Sequence, residues 1–321
     1  MKYGIREICD VVLKAKAKMT VGNKVFYKDE PVIYFDSLKT STMEGAATTV
    51  YAQGGRGNSR LIAWEGERTV TFTMEDALIS TVGLAILTGA DVIDAIESKP
   101  VIVHATETIK YGDEVTGEWI ISEKPYVNPD NANDHLIYAM ALDAAGNVES
   151  EPYICTAEEV KKDDKVIGYK LVVATKTREK DAAEGSYTAT LPTSGLMLVD
   201  YYVAKASKAQ QIEITPDKFG GNFYLEASTL FRDTNGVDMP AEFIIPNCKV
   251  QSNFTFTMAS SGDPSTFTFT MDAFPDYTRF GSKKVLSAIQ IIEDNTGDAY
   301  HRVATDASES HADESDKIVK G

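Results

Sequence analysis

A Thr/apolar alternation that occurs three times constrains this chain more than any other feature. The runs are Thr69-Val70-Thr71-Phe72-Thr73-Met74, Phe254-Thr255-Phe256-Thr257-Met258 and Thr266-Phe267-Thr268-Phe269-Thr270-Met271. A period of two puts successive side chains on opposite faces of a strand, so each run has one apolar and one hydroxyl face. β-Branched Thr and aromatic Phe also suit a pleated, half-buried surface. The apolar set (Val70, Phe72, Met74, Phe254, Phe256, Met258, Phe267, Phe269, Met271) is expected in the core. The turn-rich Ala259–Ser265 connection makes the second and third runs an expected antiparallel hairpin. The first and third continue as TFTMEDA and TFTMDA, a hint of internal duplication.

Other segments read the same way. Leu13, Ala15, Ala17 and Met19 alternate with Lys14, Lys16 and Lys18, a half-buried strand with a lysine face. PVIYFDSL (Pro31–Leu38) reads as a strand, Thr48–Ala52 as its return, and Leu61–Trp64 as another. The polar stretch Lys39–Ala47 between the first two suggests a mobile arm or long hairpin loop. After the first Thr run, Thr73 with Asp76 three residues on resembles a capping box, predicting a helix over Ala77–Leu87 that stops at Gly89. Leu78, Ile79, Val82, Leu84, Ile86 and Leu87 surround that helix, so it should be covered on more than one side. From Ile102 to Leu191 the texture changes to short strands (Trp119–Ile121, Leu136–Leu142, Tyr169–Ala174) and turns, with a charged stretch at Glu158–Lys165. Strand patterning resumes at Leu196–Val203, Gln211–Ile214, Asn222–Ala227 and Leu286–Ile292. The tail from Ala304 is polar and acidic, too poor in large apolar residues to order itself.

Charge and missing motifs narrow the chemistry. The 321 residues carry 48 Asp+Glu against 32 Lys+Arg, a net −16 whose field repels nucleic acid. Residues 1–30 hold seven cations and four anions, so the remainder carries −19. Cys9, Cys155 and Cys248 lie far apart without metal or disulfide spacing and read as buried small hydrophobes. The start lacks a leader pattern and no stretch approaches a membrane span, which predicts a soluble chain folding in a reducing cytoplasm. Gly55-Arg56-Gly57-Asn58-Ser59-Arg60 lacks the third glycine of a dinucleotide fingerprint and precedes a strand. His104, His135, His301 and His311 are scattered, and Asp130–Asp134 departs from calcium-loop spacing. No catalytic residue, metal site or cofactor is predicted.

Several stretches resemble the tail tube proteins of large contractile-tailed phages: VIYFDSL (Val32–Leu38), GGRGNSRLIAW (Gly54–Trp64), TVTFTMEDAL (Thr69–Leu78), Phe231-Arg232-Asp233, and Lys249–Phe274. The resemblance implies an antiparallel β-sandwich or partly closed barrel with a flanking α-helix. The chain is accordingly expected to be mainly β: residues 1–101 and 196–303 form the tube sandwich, 102–195 an inserted small β-rich module, and 304–321 a flexible acidic tail. It further implies a virion structural protein, assembled in the host cytoplasm as stacked hexameric rings, a hollow conduit for DNA inside a contractile sheath. Implied partners are copies of itself, the sheath and baseplate proteins, and, transiently in the lumen, a tape measure protein and DNA. By position, the arm Lys39–Asn58 corresponds to the loop that contacts the next ring, making Met43, Glu44, Gly45, Gly54, Gly55, Arg56, Gly57 and Asn58 the expected contacts. The Thr stripes (Thr69, Thr71, Thr73, Thr255, Thr257, Thr266, Thr268, Thr270) either line the lumen or lie buried between adjacent rings. The acidity suits a bore through which DNA slides without sticking. The rival reading is a carbohydrate- or receptor-binding β-sandwich, with Trp119, Tyr126 and Tyr138 as candidate aromatics.

Overall fold

The computed structural model describes residues 2–5, 7–112, 117–128, 137–174, 189–255, 257–258, 260–261 and 265–292. The chain divides into two units, 1–93 with 212–321, and 94–211. The first segment carries β1 (Tyr3–Ile5), β2 (Asp10–Ala15), β3 (Met19–Val21), β4 (Lys24–Phe26) and β5 (Pro31–Phe35). Two long strands follow, β6 (Leu38–Gly54) and β7 (Ser59–Asp76), then helix α1 (Thr81–Thr88) and β8 (Asp91–Asp94). The second unit holds β9 (Val101–Lys110), β10 (Ile120–Ile121), β11 (Ile137–Leu142), β12 (Tyr153–Lys162), β13 (Lys165–Val173) and β14 (Leu196–Lys205). The chain returns through β15 (Gln210–Glu213) to β16 (Asn222–Asp233), β17 (Asp238–Val250), β18 (Phe267–Ala273), β19 (Asp276–Tyr277), β20 (Lys284–Val285) and β21 (Ala288–Ile291).

The first unit is built on one antiparallel sheet in the order β5-β2-β16-β17-β18-β7-β6, with β1 beside β16 and β21 beside β17. Only Asp36 and Ser37 separate β5 at one end from β6 at the other, so the sheet bends round into a nearly closed barrel. Closure limits exposed edges and encloses one core. Val11, Leu13, Phe72, Met74, Phe223, Leu225, Phe269 and Met271 point into it. Phe35 and Phe269, from strands far apart along the sheet path, meet edge to face with centroids 5.0 Å apart.

The first and third Thr runs are cross-strand partners. β7 and β18 pair antiparallel, with Phe72 opposite Met271, Met74 opposite Phe269 and Thr73 opposite Thr270. TFTMEDA and TFTMDA are thus two halves of one ladder. The second run departs from expectation: Phe254, Thr255, Thr257 and Met258 lie outside every strand, Met258 is 92% exposed and Phe254 39%, and Phe256 falls outside the described residues. Val70 and Phe267 are half-buried at the rim.

Three further expectations are corrected. Lys39–Ala47 is not a loop and Thr48–Ala52 is not a separate return strand; both belong to the single strand β6. The helix starts at Thr81, not Ala77, because β7 keeps its alternation through Asp76. The buried Asp76 carboxylate accepts from the Ser37 hydroxyl (2.5 Å) and the Leu78 N–H (3.2 Å), so it caps a turn, and Ser80 caps the helix by accepting from the Gly83 N–H (2.9 Å). The helix ends where expected, at Gly89 in the left-handed conformation. The alternation from Leu13 to Met19 holds through Ala15 and then breaks at a bend over residues 16–18.

The second unit is a six-stranded antiparallel sheet, β10-β13-β12-β11-β14-β9, with its own core of Trp119, Ile121, Ile137, Cys155, Leu171, Met197, Val199 and Tyr201. The Trp119 indole N–H donates to the Pro192 carbonyl at 2.6 Å, satisfying its one polar group. The charged Glu158–Lys165 stretch is the exposed end of the β12–β13 hairpin. The end segment beyond residue 303 lies outside the described residues.

Phe269, 1% exposed, ties β18 to β5 across the first barrel. Phe269→Ala is expected to lower the unfolding free energy by about 3–5 kcal/mol. Urea denaturation followed by circular dichroism should show a lower midpoint with an unchanged slope.

Candidate assembly surface

β6 and β7, 17 and 18 residues long, pair from Leu38 opposite Asp76 out to Gly54 opposite Ser59. β18 supports β7 only over residues 71–76. Beyond that point, among the described residues, the pair continues alone as a two-stranded arm. An isolated hairpin is marginal in water, because neither face is covered. At the tip, Gly55 (φ 79°), Gly57 (φ 91°) and Asn58 (φ 50°) take left-handed conformations and the Asn58 N–H donates to the Gly55 carbonyl at 3.2 Å.

Residues directly opposite in an antiparallel pair share a face. Val50 faces Trp64 and Ala52 faces Ile62, which gathers an apolar patch on one side of the distal arm. Val50 is 61% exposed, Ile62 54% and Trp64 52%. On the other side Tyr51 faces Ala63, with the Arg60 guanidinium 4.1 Å over the Tyr51 ring. Between Ala46 and Trp64 the only charged side chains are Arg56 and Arg60, leaving −18 on the rest of the chain. The distal part of this ribbon, apolar on one face, free of acids from Ala46 to Trp64 and open along its backbone edges, is a pairing hazard unless another surface receives it.

The arm is bent by design of its sequence. Its register slips between Ala47 and Thr49, where Gly66 and Glu67 of β7 stand opposite the single residue Thr48, and the Thr48 hydroxyl accepts from the Glu67 N–H at 2.9 Å. Gly66 sits against it: a Cβ there would lie 2.5 Å from the Thr48 oxygen. The bulge therefore needs both residues, and it sets the direction of the distal half.

The residues expected at the inter-ring contact fall in two groups. Met43 packs at the core rim, and Glu44 and Gly45 lie opposite Thr71 and Val70 near the arm's base; Gly54, Gly55, Arg56, Gly57 and Asn58 form its tip. Val50, exposed, falls within the expected arm Lys39–Asn58, whereas the exposed Leu61, Ile62 and Trp64 lie beyond it, in the apolar strand read after the Gly-rich turn. Thr71, Thr73, Thr268 and Thr270 share the outer face of β7 and β18, with Thr266 just before that strand and Thr69 on the arm. Thr255 and Thr257 stand apart from the ladder. Of the rival's aromatics, Trp119 is core, Tyr126 half-buried and only Tyr138 exposed. His104 pairs with Asp200 at 2.8 Å on the second sheet, whereas His135, His301, His311 and Asp130–Asp134 lie outside the described residues. All three cysteines are buried; burial raises the Cys9 thiol and pushes Cys155 and Cys248 up to about 12.

The outer face of the first barrel carries a charge cluster. Lys14 of β2 pairs with Glu226 of β16, and Glu242 of β17 has its carboxyl raised by burial and by the nearby Glu226, partly offset by Lys14. A raised carboxyl pKa in the fold means ionisation opposes folding: stability is full below the unfolded pKa and falls as pH rises through the folded one. Glu242→Gln should therefore be more stable than the parent at pH 7 and equal to it near pH 3, read from urea midpoints at both values. At the bulge, Gly66→Ala should displace Thr48 and raise the exchange rate of the Glu67 amide while changing global stability by less than about 0.5 kcal/mol. Amide-resolved hydrogen exchange measures both.

Comparison with known proteins follows this geometry. The model of the YomU/Tube protein family matches residues 9–116 and 170–286, well over half the chain. The match takes in the arm, α1 and most of the first barrel, and leaves out β10, β11 and β12 of the second unit. No curated protein matches the chain. The chain belongs to the YomU/Tube protein family, and the family reading is that of a phage tail tube structural protein.

Proposed function

We propose that this chain is the repeating subunit of a contractile phage tail tube, assembling in the host cytoplasm as stacked hexameric rings that conduct DNA into the target cell. The observation that carries the reading is the arm: a ribbon whose apolar side chains and open backbone edges gain stability only by being covered. Burying Val50, Ile62 and Trp64 on another copy would contribute on the order of 1.5–3 kcal/mol per side chain, repeated at every contact of the assembly. The second copy is the natural recipient, because a repeating particle needs one surface to recognise another on the same chain. The tip arginines Arg56 and Arg60 meet a chain otherwise carrying −18, so attraction between copies is built into the charge distribution.

The net negative charge has a second use. A conduit wall of the same sign as phosphate releases no counterions on contact with DNA, so transit is not slowed by adhesion. Sheath, baseplate and tape measure proteins are the partners this role requires, with the sheath outside and the tape measure within.

Electron microscopy of the purified chain tests the proposal: long uniform hollow tubes are expected. A variant with Gly45–Gly57 shortened to a tight turn should keep the circular dichroism of the parent and give no stacked rings. Tubes of ordinary length from that variant, or a parent that stays monomeric under all conditions, would refute the assignment.

A further inference from the structure

One hairpin of the first unit ends in a large apolar side chain left in solvent. β19 and β20 pair through Asp276 opposite Val285 and Tyr277 opposite Lys284, and the Gly281 N–H closes the turn on the Thr278 carbonyl at 3.1 Å. Phe280 stands at the tip, 96% exposed, with the Arg279 guanidinium 5.8 Å from its ring centre. Residues 278–284 hold Arg279, Lys283 and Lys284 and no acid, +3 on a chain whose remainder carries −19. The hairpin is held against the barrel: Lys16 pairs with Asp276 at 2.8 Å, the Phe274 N–H donates to the Asn247 carbonyl at 2.8 Å, and the Arg279 N–H donates to the Tyr224 hydroxyl at 3.2 Å. A tip fixed in this way loses little entropy when it docks.

Tyr224 lies near one end of β16, and the other end of that strand borders a cavity of about 690 Å³. Ile5, 63% exposed, and Leu230 supply apolar surface to the cavity, and Glu7, Asp233 and Asp238 supply acids. Of the two cations that also line it, Lys2 and Arg232, the second is already held by Asp238 through two bonds of 2.5 and 2.6 Å. Asp233 accepts from the Val237 and Asn235 N–H groups at 2.9 and 2.8 Å, which holds its carboxyl below the usual range and keeps it ionised. Phe223, Leu225, Ala227 and Phe231 of β16 face the core, so Tyr224, Leu230 and Arg232 share the outer face. The hairpin's mount and the cavity therefore lie on one face, about 20 Å apart along the strand.

We propose that the Phe280 hairpin of one copy seats in the Ile5–Leu230 cavity of a second, a contact separate from the arm. The inference rests on the tube reading for the identity of its partner. Phe280 meets Ile5 and Leu230, while Arg279, Lys283 and Lys284 face Glu7, Asp233 and Asp238, an apolar centre ringed by opposite charges. Because hairpin and cavity lie toward opposite ends of one strand, each copy docks with the first and still offers the second. Such a head-to-tail contact repeats, and closes a ring when its rotation permits. A tube of rings needs one contact within a ring and another between rings. With the arm expected at the second, the hairpin and cavity supply the first.

Ile5→Cys with Phe280→Cys in one chain places one thiol in the cavity and one on the tip, and the three native cysteines are buried. Mild oxidation of that double variant should give a ladder of covalent oligomers, with either single variant cross-linking at least about tenfold more slowly, because only the pair brings two thiols within disulfide reach. Phe280→Asp, at a position outside the core, should keep the circular dichroism of the parent and raise the concentration needed for tubes at least about tenfold. No ladder from the double variant, equal cross-linking by a single variant, or Phe280→Asp assembling at the parent's concentration would each overturn the contact while parent tubes keep the tube reading standing. A ladder from a chain whose parent forms no tubes would overturn the stacking and keep the contact. Neither tubes nor ladder would overturn both.

Discussion

The antiparallel pairing of β7 with β18 is the contact on which the first unit depends. It sets Phe72 and Met74 against Met271 and Phe269 in the core, and so joins a segment near residue 70 to one near residue 270. Without it the sheet path would break between β17–β18 and β7–β6, the barrel would stand open, and the arm would have no root. The pairing is a non-local one, so the chain loses much loop entropy before the contact forms. What favours it is burial: two aromatic and two Met side chains, all 0 or 1% exposed, leave water together.

From that root the arm follows by subtraction. β18 ends its ladder with β7 at Asp272 opposite Thr71, while β6 and β7 run on for many more residues with no further strand beside them among the described residues. A protein built to stay monomeric would shorten such a ribbon or stud it with lysine. Here the distal arm instead carries Val50, Ile62 and Trp64 on one face, two arginines and no acid, and a Thr48–Gly66 bulge that aims it. On the proposed reading, the arm gains its cover from a second copy, the general logic of a subunit whose folded form is completed by assembly.

The second unit has the opposite character. Trp119, whose indole N–H is satisfied by Pro192, and Tyr201, whose hydroxyl donates to Glu107 at 3.1 Å, close a core that needs no help from outside. The family match takes in β9 and β14 of this sheet and leaves out β10 to β12. The burial of Trp119 also removes one of the three candidates for an aromatic ligand platform.

The sequence by itself determined the strand character, the faces and the punctuation of this protein. Period-two runs of Thr with Phe and Met favour two-faced strands, as the first and third runs are, Gly55 and Gly57 permit the tip turn, and Gly89 stops the helix; these are local consequences of backbone sterics. Strands with weaker signals escaped it: β17 carries Pro240 and Pro246, the latter tolerated because it sits where the register with β16 slips. Only the tertiary structure decided which runs pair. The first and third Thr runs chose each other because their apolar faces complete one barrel core, leaving the second run, equally strand-like, outside the ladder. The same partition made Gly45–Val70 an uncovered arm, since whether an apolar residue is buried depends on what lies across from it, and alternation along the chain does not name that neighbour.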